Sequence, residues 1–389
     1  MIRENVHIPP YFERRRPEIL RLVPKEARKV LDVGCGSGRL GKDLKSRSQV
    51  TVHGIEIAEV PGRRAALPLD RVWIAPVERG ARFARSGGHD CIVLADVLEH
   101  LRDPQRVLAH LAKNLAPGGT VVASVPNVQN QEVLLNLMAG RWNYTSEGLL
   151  DRTHLRFFTR QTARELSWAA GLRIENIGTV RDGSIRTVFL KKSPGRSAFW
   201  TVDREDFGVW QFLITAKRRD IRLSSPKMGV IVRTPKGSPY EKPSAGFQQL
   251  VEHFKPVWLV TVPRELPVPE DLSRLGADPT QVDWVIVLDS RVAISPGFVE
   301  GLVEACDLDP AIGVLVPGVY ADPDFQRLVG VGFRWRFSNL RFDLVGLGDG
   351  ETDWPDPVCV DSALPWAFAV RSEVLGAVRG FHGVNGQLF

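Results

Sequence analysis

Cysteine is scarce in this 389-residue chain: Cys35, Cys91, Cys306 and Cys359 lie far apart, and none forms a C-x-x-C pair. A disulfide-dense secreted framework is thereby excluded, and the four read as reduced cytosolic thiols. No uninterrupted apolar run reaches bilayer length, and Met1-Ile2-Arg3-Glu4-Asn5 opens the chain on a polar note. No transmembrane segment is therefore expected, and the expected location is cytoplasmic. Blocks of like charge are missing too. The net charge of +6 comes from arginines scattered along the chain, which favours a solvated surface over a nucleic-acid partner. Tandem repeats and low-complexity tracts are also absent. What is present is a globular composition, 43% hydrophobic and 25% charged, in a chain long enough for two domains with a core each. Nothing in the chain speaks to oligomeric state.

From Arg28 to about Lys217, short apolar stretches alternate with amphipathic ones, the pattern of a parallel α/β sheet. Strands are predicted at Lys29 to Val33, Val50 to Ile55, Arg71 to Ile74, Asp90 to Ala95 and Thr120 to Ser124. Asp103-Pro104 reads as an N-cap followed by proline at the first helical position. Val107, Leu108, Leu111 and Leu115 then mark one buried helical face, which Pro117-Gly118-Gly119 stops. Two further runs, Leu172 to Ile177 and Phe207 to Lys217, are expected to close the sheet as an antiparallel pair across a polar, basic connection. Arg218 to Pro226 is charged and serine-rich, a linker pattern. Beyond it, Met228 to Val232, Val257 to Val262 and Trp284 to Asp289 begin a second α/β pattern.

The most informative segment is Val30-Leu31-Asp32-Val33-Gly34-Cys35-Gly36-Ser37-Gly38-Arg39-Leu40-Gly41, which joins a strand to a helix through a glycine loop. Glycine lets a ligand lie against the backbone, and the following helix start exposes unpaired N–H groups. Two cofactors fit such a loop. Gly36, Gly38 and Gly41 spell the G-x-G-x-x-G of dinucleotide-binding folds, with Glu56 about twenty positions on. Asp32, Gly34, Gly36 and Gly38 spell D-x-G-x-G, in which the stretch resembles the class I S-adenosylmethionine (SAM) methyltransferases. The acid inside the strand favours the second. A carboxylate repels a pyrophosphate, whereas it steadies the ammonium and sulfonium of SAM. Glu56, closing the second strand, stands where a carboxylate can accept both ribose hydroxyls. The expected cofactor-binding residues are Asp32, Gly34, Cys35, Gly36, Gly38, Glu56, Asp96 and Val97.

Ala95-Asp96-Val97-Leu98-Glu99-His100-Leu101, Leu115-Ala116-Pro117-Gly118-Gly119 and Ser124-Val125-Pro126-Asn127 extend the likeness to roughly residues 10 to 218, whereas Ala75-Pro76-Val77-Glu78 departs from it. Asp151-Arg152-Thr153-His154-Leu155-Arg156-Phe157-Phe158-Thr159 is similar to a D-x-x-H-x-x-x-F-T stretch of small-molecule and saccharide-modifying members. His100 is the expected general base, since an attacking hydroxyl must lose its proton, and His154 is a second catalytic candidate. Glu99, His100 and His154, with Asp96 nearby in sequence, also offer ligands for a divalent metal. Similar patterns occur in methyltransferases acting on RNA 3′ termini and on quinone precursors. Tyr11, Arg14 and Arg16 lead the domain in an arm with the makings of a lid, and Trp142 and Tyr144 fall where a substrate loop is expected.

Residues 228 to 381 resemble the GT-A core of family 2 glycosyltransferases through Asp283 to Val292, Pro310 to Pro317, Val358 to Val370 and Gly380-Phe381. Active members carry D-x-D, whereas here Asp289 is followed at the second acid by Arg291, so a degenerate or truncated domain is expected. The expected architecture is thus α/β throughout. A Rossmann-like methyltransferase sheet with a closing antiparallel pair occupies residues 1–220, a linker 221–227, and a GT-A-like domain 228–389. The resemblance implies SAM-dependent O-methylation of a small-molecule or saccharide acceptor, a glycan precursor in polysaccharide biosynthesis. Two alternatives stand beside it: a family 2 glycosyltransferase with an accessory methyltransferase domain, and a metal-dependent methyltransferase of RNA or quinone-type acceptors.

Overall fold

The computed structural model describes residues 9–78, 88–181, 204–219, 226–234, 245–263, 272–290, 292, 294, 298–317, 319–320, 328–330, 332–336, 341–345, 367–377, 383–384 and 387–388. The chain separates into two units, Met1–Arg219 and Asp220–Phe389. Among the described residues, no helix is long and apolar enough to cross a membrane.

The first unit runs α1 (Pro17–Leu22), β1 (Lys29–Val33), α2 (Arg39–Arg47), β2 (Thr51–Glu56), α3 (Glu59–Ala65), β3 (Arg71–Ile74), β4 (His89–Ala95), α4 (Pro104–Ala112), β5 (Leu115–Pro126), α5 (Gln131–Met138), α6 (Arg160–Ala169), β6 (Leu172–Arg181), α7 (Arg204–Phe207) and β7 (Val209–Arg218). Its strands form one seven-stranded sheet in the order β3-β2-β1-β4-β5-β7-β6. The first five are parallel to one another, and β7 runs antiparallel to both β5 and β6. Because β1 pairs with β2 on one side and β4 on the other, the chain reverses its winding there. In open α/β sheets, that reversal opens a crevice beyond the carboxyl ends of the two strands.

Successive strand residues point to opposite faces, so each strand feeds two cores. Val30, Val52, Cys91 and Val93 join Ile19, Leu40 and Leu44 from α1 and α2 on one face. Leu31, Val33, Ile92 and Leu94 join Val107, Leu108, Leu111 and Ala163 from α4 and α6 on the other. α4 begins as its sequence dictates, with Asp103 accepting the Arg106 N–H and Pro104 at its first position. Its end departs from expectation. The helix stops at Ala112, before Leu115, and Pro117-Gly118-Gly119 forms an irregular turn within β5, with Gly118 at φ 74° and the register with β4 jumping from His89–Leu115 to Cys91–Thr120. Similarly, Phe207 ends a short helix instead of opening the last strand. Residues 182–203 between β6 and α7, and 220–225 of the expected linker, lie outside the described residues.

The second unit opens with β8 (Met228–Thr234), α8 (Ala245–Phe254), β9 (Trp258–Pro263), β10 (Trp284–Asp289), α9 (Phe298–Cys306) and β11 (Val314–Leu315). Two hairpins follow, β12 (Val319–Tyr320) with β13 (Leu328–Gly330) and β14 (Gly332–Arg336) with β15 (Arg341–Val345), then β16 (Ala367–Arg371) and α10 (Ser372–Ala377). Five strands make a mixed sheet, β11-β16-β10-β8-β9, in which β16 runs antiparallel to β10 and β11. Helices α8 and α9 bury Phe247, Leu250, Val299 and Leu302 against one face.

Candidate functional site

The crevice between the ends of β1 and β4 collects most of the residues singled out above. Asp32, paired in register with Gly54 of β2 and Val93 of β4, is 3% exposed, and its Oδ2 has no hydrogen-bond partner among the described residues. Burial, then the charge of Glu56, pushes its carboxyl up to about 7. Gly34, Gly36 and Gly38 all adopt left-handed backbone, with φ of 70°, 53° and 82°. Side chains are excluded there by space as well: a Cβ on Gly34 would sit 2.7 Å from Val97 Cγ2, and one on Gly36 would sit 2.7 Å from the Phe12 carbonyl oxygen. The loop is pinned to β2, since the Gly34 and Cys35 N–H groups donate to the Ile55 carbonyl at 2.8 and 3.1 Å. Glu56, 4% exposed, accepts the Gly36 N–H through Oε2 at 2.8 Å and the Ala58 N–H through Oε1 at 2.9 Å. Each carboxylate oxygen keeps a second lone pair for another donor. The Cys35 thiol is buried against Gly54, and burial pushes its pKa upward, so it is an inert packing group.

Asp96 follows β4 with a left-handed φ of 57°, uncommon for a residue other than glycine. Both of its carboxylate oxygens are engaged. Oδ1 accepts from Ser124 Oγ at 2.6 Å and Gln211 Nε2 at 2.7 Å, while Oδ2 accepts from Arg16 Nη1 at 2.7 Å. The carboxylate expected beside the metal ligands is therefore bound up in a protein network. Ser124 and Gln211 carry no local sequence signal for this role, because they reach Asp96 from β5 and β7. Arg16 comes from the leading arm, in which Arg14 is exposed and Tyr11 meets Phe12 edge-on at 5.4 Å between ring centroids.

A second group assembles beside Asp96. Glu99 and His100 lie on a short 3-10 turn, Leu98–His100, and the Glu99 carbonyl accepts from Leu155 N at 2.8 Å and Arg156 N at 3.0 Å. Those bonds draw the loop before α6 across, so the His100 and His154 rings sit 4.9 Å apart, and ligand atoms of Glu99, His100 and His154 lie within 4.8 Å of one another. Glu99 is 1% exposed, and burial, then the charge of Asp96, pushes its carboxyl well above the usual range. Thr153 Oγ1 donates to Asp151 Oδ1 at 2.7 Å, so it accepts from His100 Nδ1 at 3.1 Å. His154 Nδ1 must likewise donate to the Leu149 carbonyl at 3.2 Å. With both Nδ1 atoms carrying protons, the Nε2 lone pairs are the basic positions of the two imidazoles. Burial, then the charge of His100, holds His154 below its ordinary value. Trp142 stacks edge-on to Phe157 at 5.4 Å and packs with Val133, Leu149 and Leu150, whereas Tyr144 stands exposed.

In the second unit, Asp289 ends β10 in register with Arg233 of β8, and both are buried. Arg291 and residues 380–382 lie outside the described residues.

Residues 9–177 match a family described as a methyltransferase domain. Over 122 residues the chain is 30% identical to a ubiquinone biosynthesis O-methyltransferase of Escherichia coli O127:H6, a match covering 30% of this chain and 50% of that protein. The chain spans about half the length of the curated relatives it matches. A solved SAM-dependent methyltransferase from Archaeoglobus fulgidus aligns at 19% identity over 50% of this chain and 87% of its own, with a TM-score of 0.37. A 1,6-didemethyltoxoflavin-N1-methyltransferase from Burkholderia thailandensis, solved with 1,6-didemethyltoxoflavin and S-adenosylhomocysteine, aligns at 20% identity over 53% and 78% of the two chains, with a TM-score of 0.34.

Proposed function

We propose that the methyltransferase domain matched over residues 9–177 is a working SAM-dependent O-methyltransferase, whose acceptor is a hydroxyl of a saccharide or glycan precursor. The observation that carries the SAM reading is the buried Asp32 carboxylate with an unpartnered Oδ2, beside a glycine loop with no room for side chains. A buried acid of this kind fits a cationic ligand and opposes a pyrophosphate. Asp32 would hold the ammonium end of SAM, Glu56 its ribose hydroxyls, and the backbone of Gly34, Cys35, Gly36 and Gly38 would lie along it, with Asp96 and Val97 forming the wall toward the acceptor. SAM supplies an activated methyl group, so the protein's tasks are alignment and removal of one proton.

His100 serves as the base and His154 as its neighbour. The Asp151-Thr153-His100 chain of hydrogen bonds fixes the His100 tautomer and leaves Nε2 to take the acceptor proton. The saccharide half of the reading is supported by the sequence likeness of residues 228–381 to a GT-A core, in which Arg291 replaces the second acid and argues against sugar transfer. Incubation with SAM and a panel of saccharide and phenolic acceptors tests it. S-adenosylhomocysteine formed only with phenols overturns the saccharide class, and none formed with any acceptor, with no SAM uptake, overturns the cofactor.

The Glu99-His100-His154 group favours a second reading, in which a divalent cation held by these residues lowers the pKa of a phenolic acceptor hydroxyl. One curated relative is a ubiquinone biosynthesis O-methyltransferase, which makes a quinone-type acceptor the natural companion of that reading. Loss of turnover on chelation and its return with a metal decide for it. Turnover indifferent to chelators but slowed by His100→Ala, at unchanged SAM affinity, decides for the histidine base.

A further inference from the structure

The segment before α1 does more than lead into the fold. Three pieces of chain meet pairwise around the β1–β4 crevice. The Phe12 carbonyl accepts from Ser37 N at 3.1 Å and Ser37 Oγ at 2.8 Å, which lays the arm on the glycine loop. The loop in turn meets the end of β4, where Val97 Cγ2 fills the space above Gly34. The ring is closed by Arg16, which donates from Nη1 to Asp96 at 2.7 Å and from Nη2 to Ser124 Oγ at 3.1 Å. A third donor, Nε, is held by Glu18 Oε1.

This anchor is stronger than a surface ion pair. The Arg16 and Asp96 side chains are each 14% exposed, and the guanidinium is used on three sides. Exposed pairs contribute little to stability, whereas sheltered charge-assisted bonds of this geometry hold their partners firmly. The helix behind it needs no such anchor, because α1 is already fixed by Ile19 in the apolar core. Burying an ion pair carries a desolvation cost, and here that cost falls at the carboxyl ends of the strands, not in the core.

We propose that Arg16 is a positioning residue that latches the arm Pro9–Arg16 across the glycine loop, and that the latched arm retains the cofactor. The inference rests on the SAM reading of this unit. Because the arm touches the loop through Phe12 and the strand end through Arg16, loosening either anchor frees the same segment. The effect falls on escape more than on encounter, as it does for most changes to a formed contact.

The test uses the full chain with S-adenosylhomocysteine as probe, in stopped-flow displacement and in hydrogen exchange of peptides covering residues 9–16. Arg16→Met is expected to speed release about tenfold, and Ser37→Ala, which removes one hydroxyl bond, about threefold. Arg16→Lys, keeping the charge on a single donor nitrogen but losing the planar fork, recovers part of the loss. Ligand slows exchange of the arm in the wild type and fails to do so in Arg16→Met. If Arg16→Met does not fold, Ser37→Ala and Arg16→Lys carry the same comparison. Unchanged release and arm protection in folded variants, with the wild type binding normally, overturn the latch alone. A wild type that takes up no S-adenosylhomocysteine overturns the SAM reading and the latch with it.

Discussion

Replacing Asp32 by asparagine removes a buried charge from β1 while keeping its shape. The wild-type carboxyl is pushed from an unfolded value of 3.8 up to about 7. A raised acid pKa means that the folded state binds the proton more tightly. The stability it contributes is full below pH 3.8, declines as pH rises, and levels off above about 7. At roughly 1.4 kcal/mol for each unit, the whole interval amounts to about 4 kcal/mol, of which about 2 kcal/mol falls between pH 5.5 and 8. The asparagine variant would carry no such dependence. Its own burden, a buried amide short of partners, is the same at both pH values and cancels in the comparison.

Hydrogen exchange at β1 amides, referenced to intrinsic rates, isolates this unit from the second one. The variant is expected to match or trail the wild type at pH 5.5 and to gain on it by about thirtyfold in protection by pH 8. His53 and His89, both held below the ordinary histidine value, contribute equally to both proteins, so the difference belongs to Asp32. Adding SAM at pH 8 should raise protection in the wild type and far less in Asp32→Asn, because the charge that costs stability is the one proposed to bind the ligand. A gap that does not widen with pH, or that widens in favour of the wild type without ligand, refutes the reasoning.

Glu56→Gln keeps an acceptor for Gly36 but loses the charge, and calorimetry should find SAM affinity lowered about tenfold to a hundredfold, with equal affinity contradicting the ribose assignment. His89 is buried, its Nε2 lies 3.2 Å from His53 Nδ1, and burial, then the charge of Lys29, lowers its pKa from 6.5 to about 4. Its folded value is depressed, so stability is complete above pH 6.5 and is lost as pH falls toward 4, by about 3 kcal/mol. His89→Gln should flatten this acid limb in urea unfolding at pH 7.5 and 4.5, and an unchanged limb would show that the pair is not its source. Gly54→Ala places a methyl 2.6 Å from Cys35 Sγ and 2.8 Å from Leu69 Cδ1, and should cost about 1–3 kcal/mol. The double variant with Cys35→Ala should recover much of that in thermal melts; no recovery would locate the strain elsewhere.

The positions of the elements in the first unit were legible because their signals are local. Lys29–Val33 and Arg71–Ile74 are strands at the residues read from apolar runs, and Asp103-Pro104 starts its helix by chemistry contained in four residues. Local signals mislead where they conflict with tertiary preferences. Pro117-Gly118-Gly119 does turn, with Gly118 left-handed at φ 74°, but as an irregularity within β5, whose register with β4 jumps from His89–Leu115 to Cys91–Thr120, rather than as the stop of α4. Phe207 has strand character, but the turn holding Asp206 against Arg160 and Asn127 takes it into a helix.

By itself, the chain determined that an acid would stand inside β1 beside a glycine loop, since strand, turn and helix start follow from neighbouring residues. Which side chains meet there was decided only by the tertiary structure. Asp96 and Glu99 are both acids three positions apart, yet Arg16, 80 positions away, and Gln211, 115 positions away, bind the first, while His154 comes to the second. The closing antiparallel strand delivers Gln211, and the loop held by the Glu99 carbonyl delivers His154. Such meetings depend on sheet order and chain return, which sum weak preferences over the whole domain, so no window of sequence contains them.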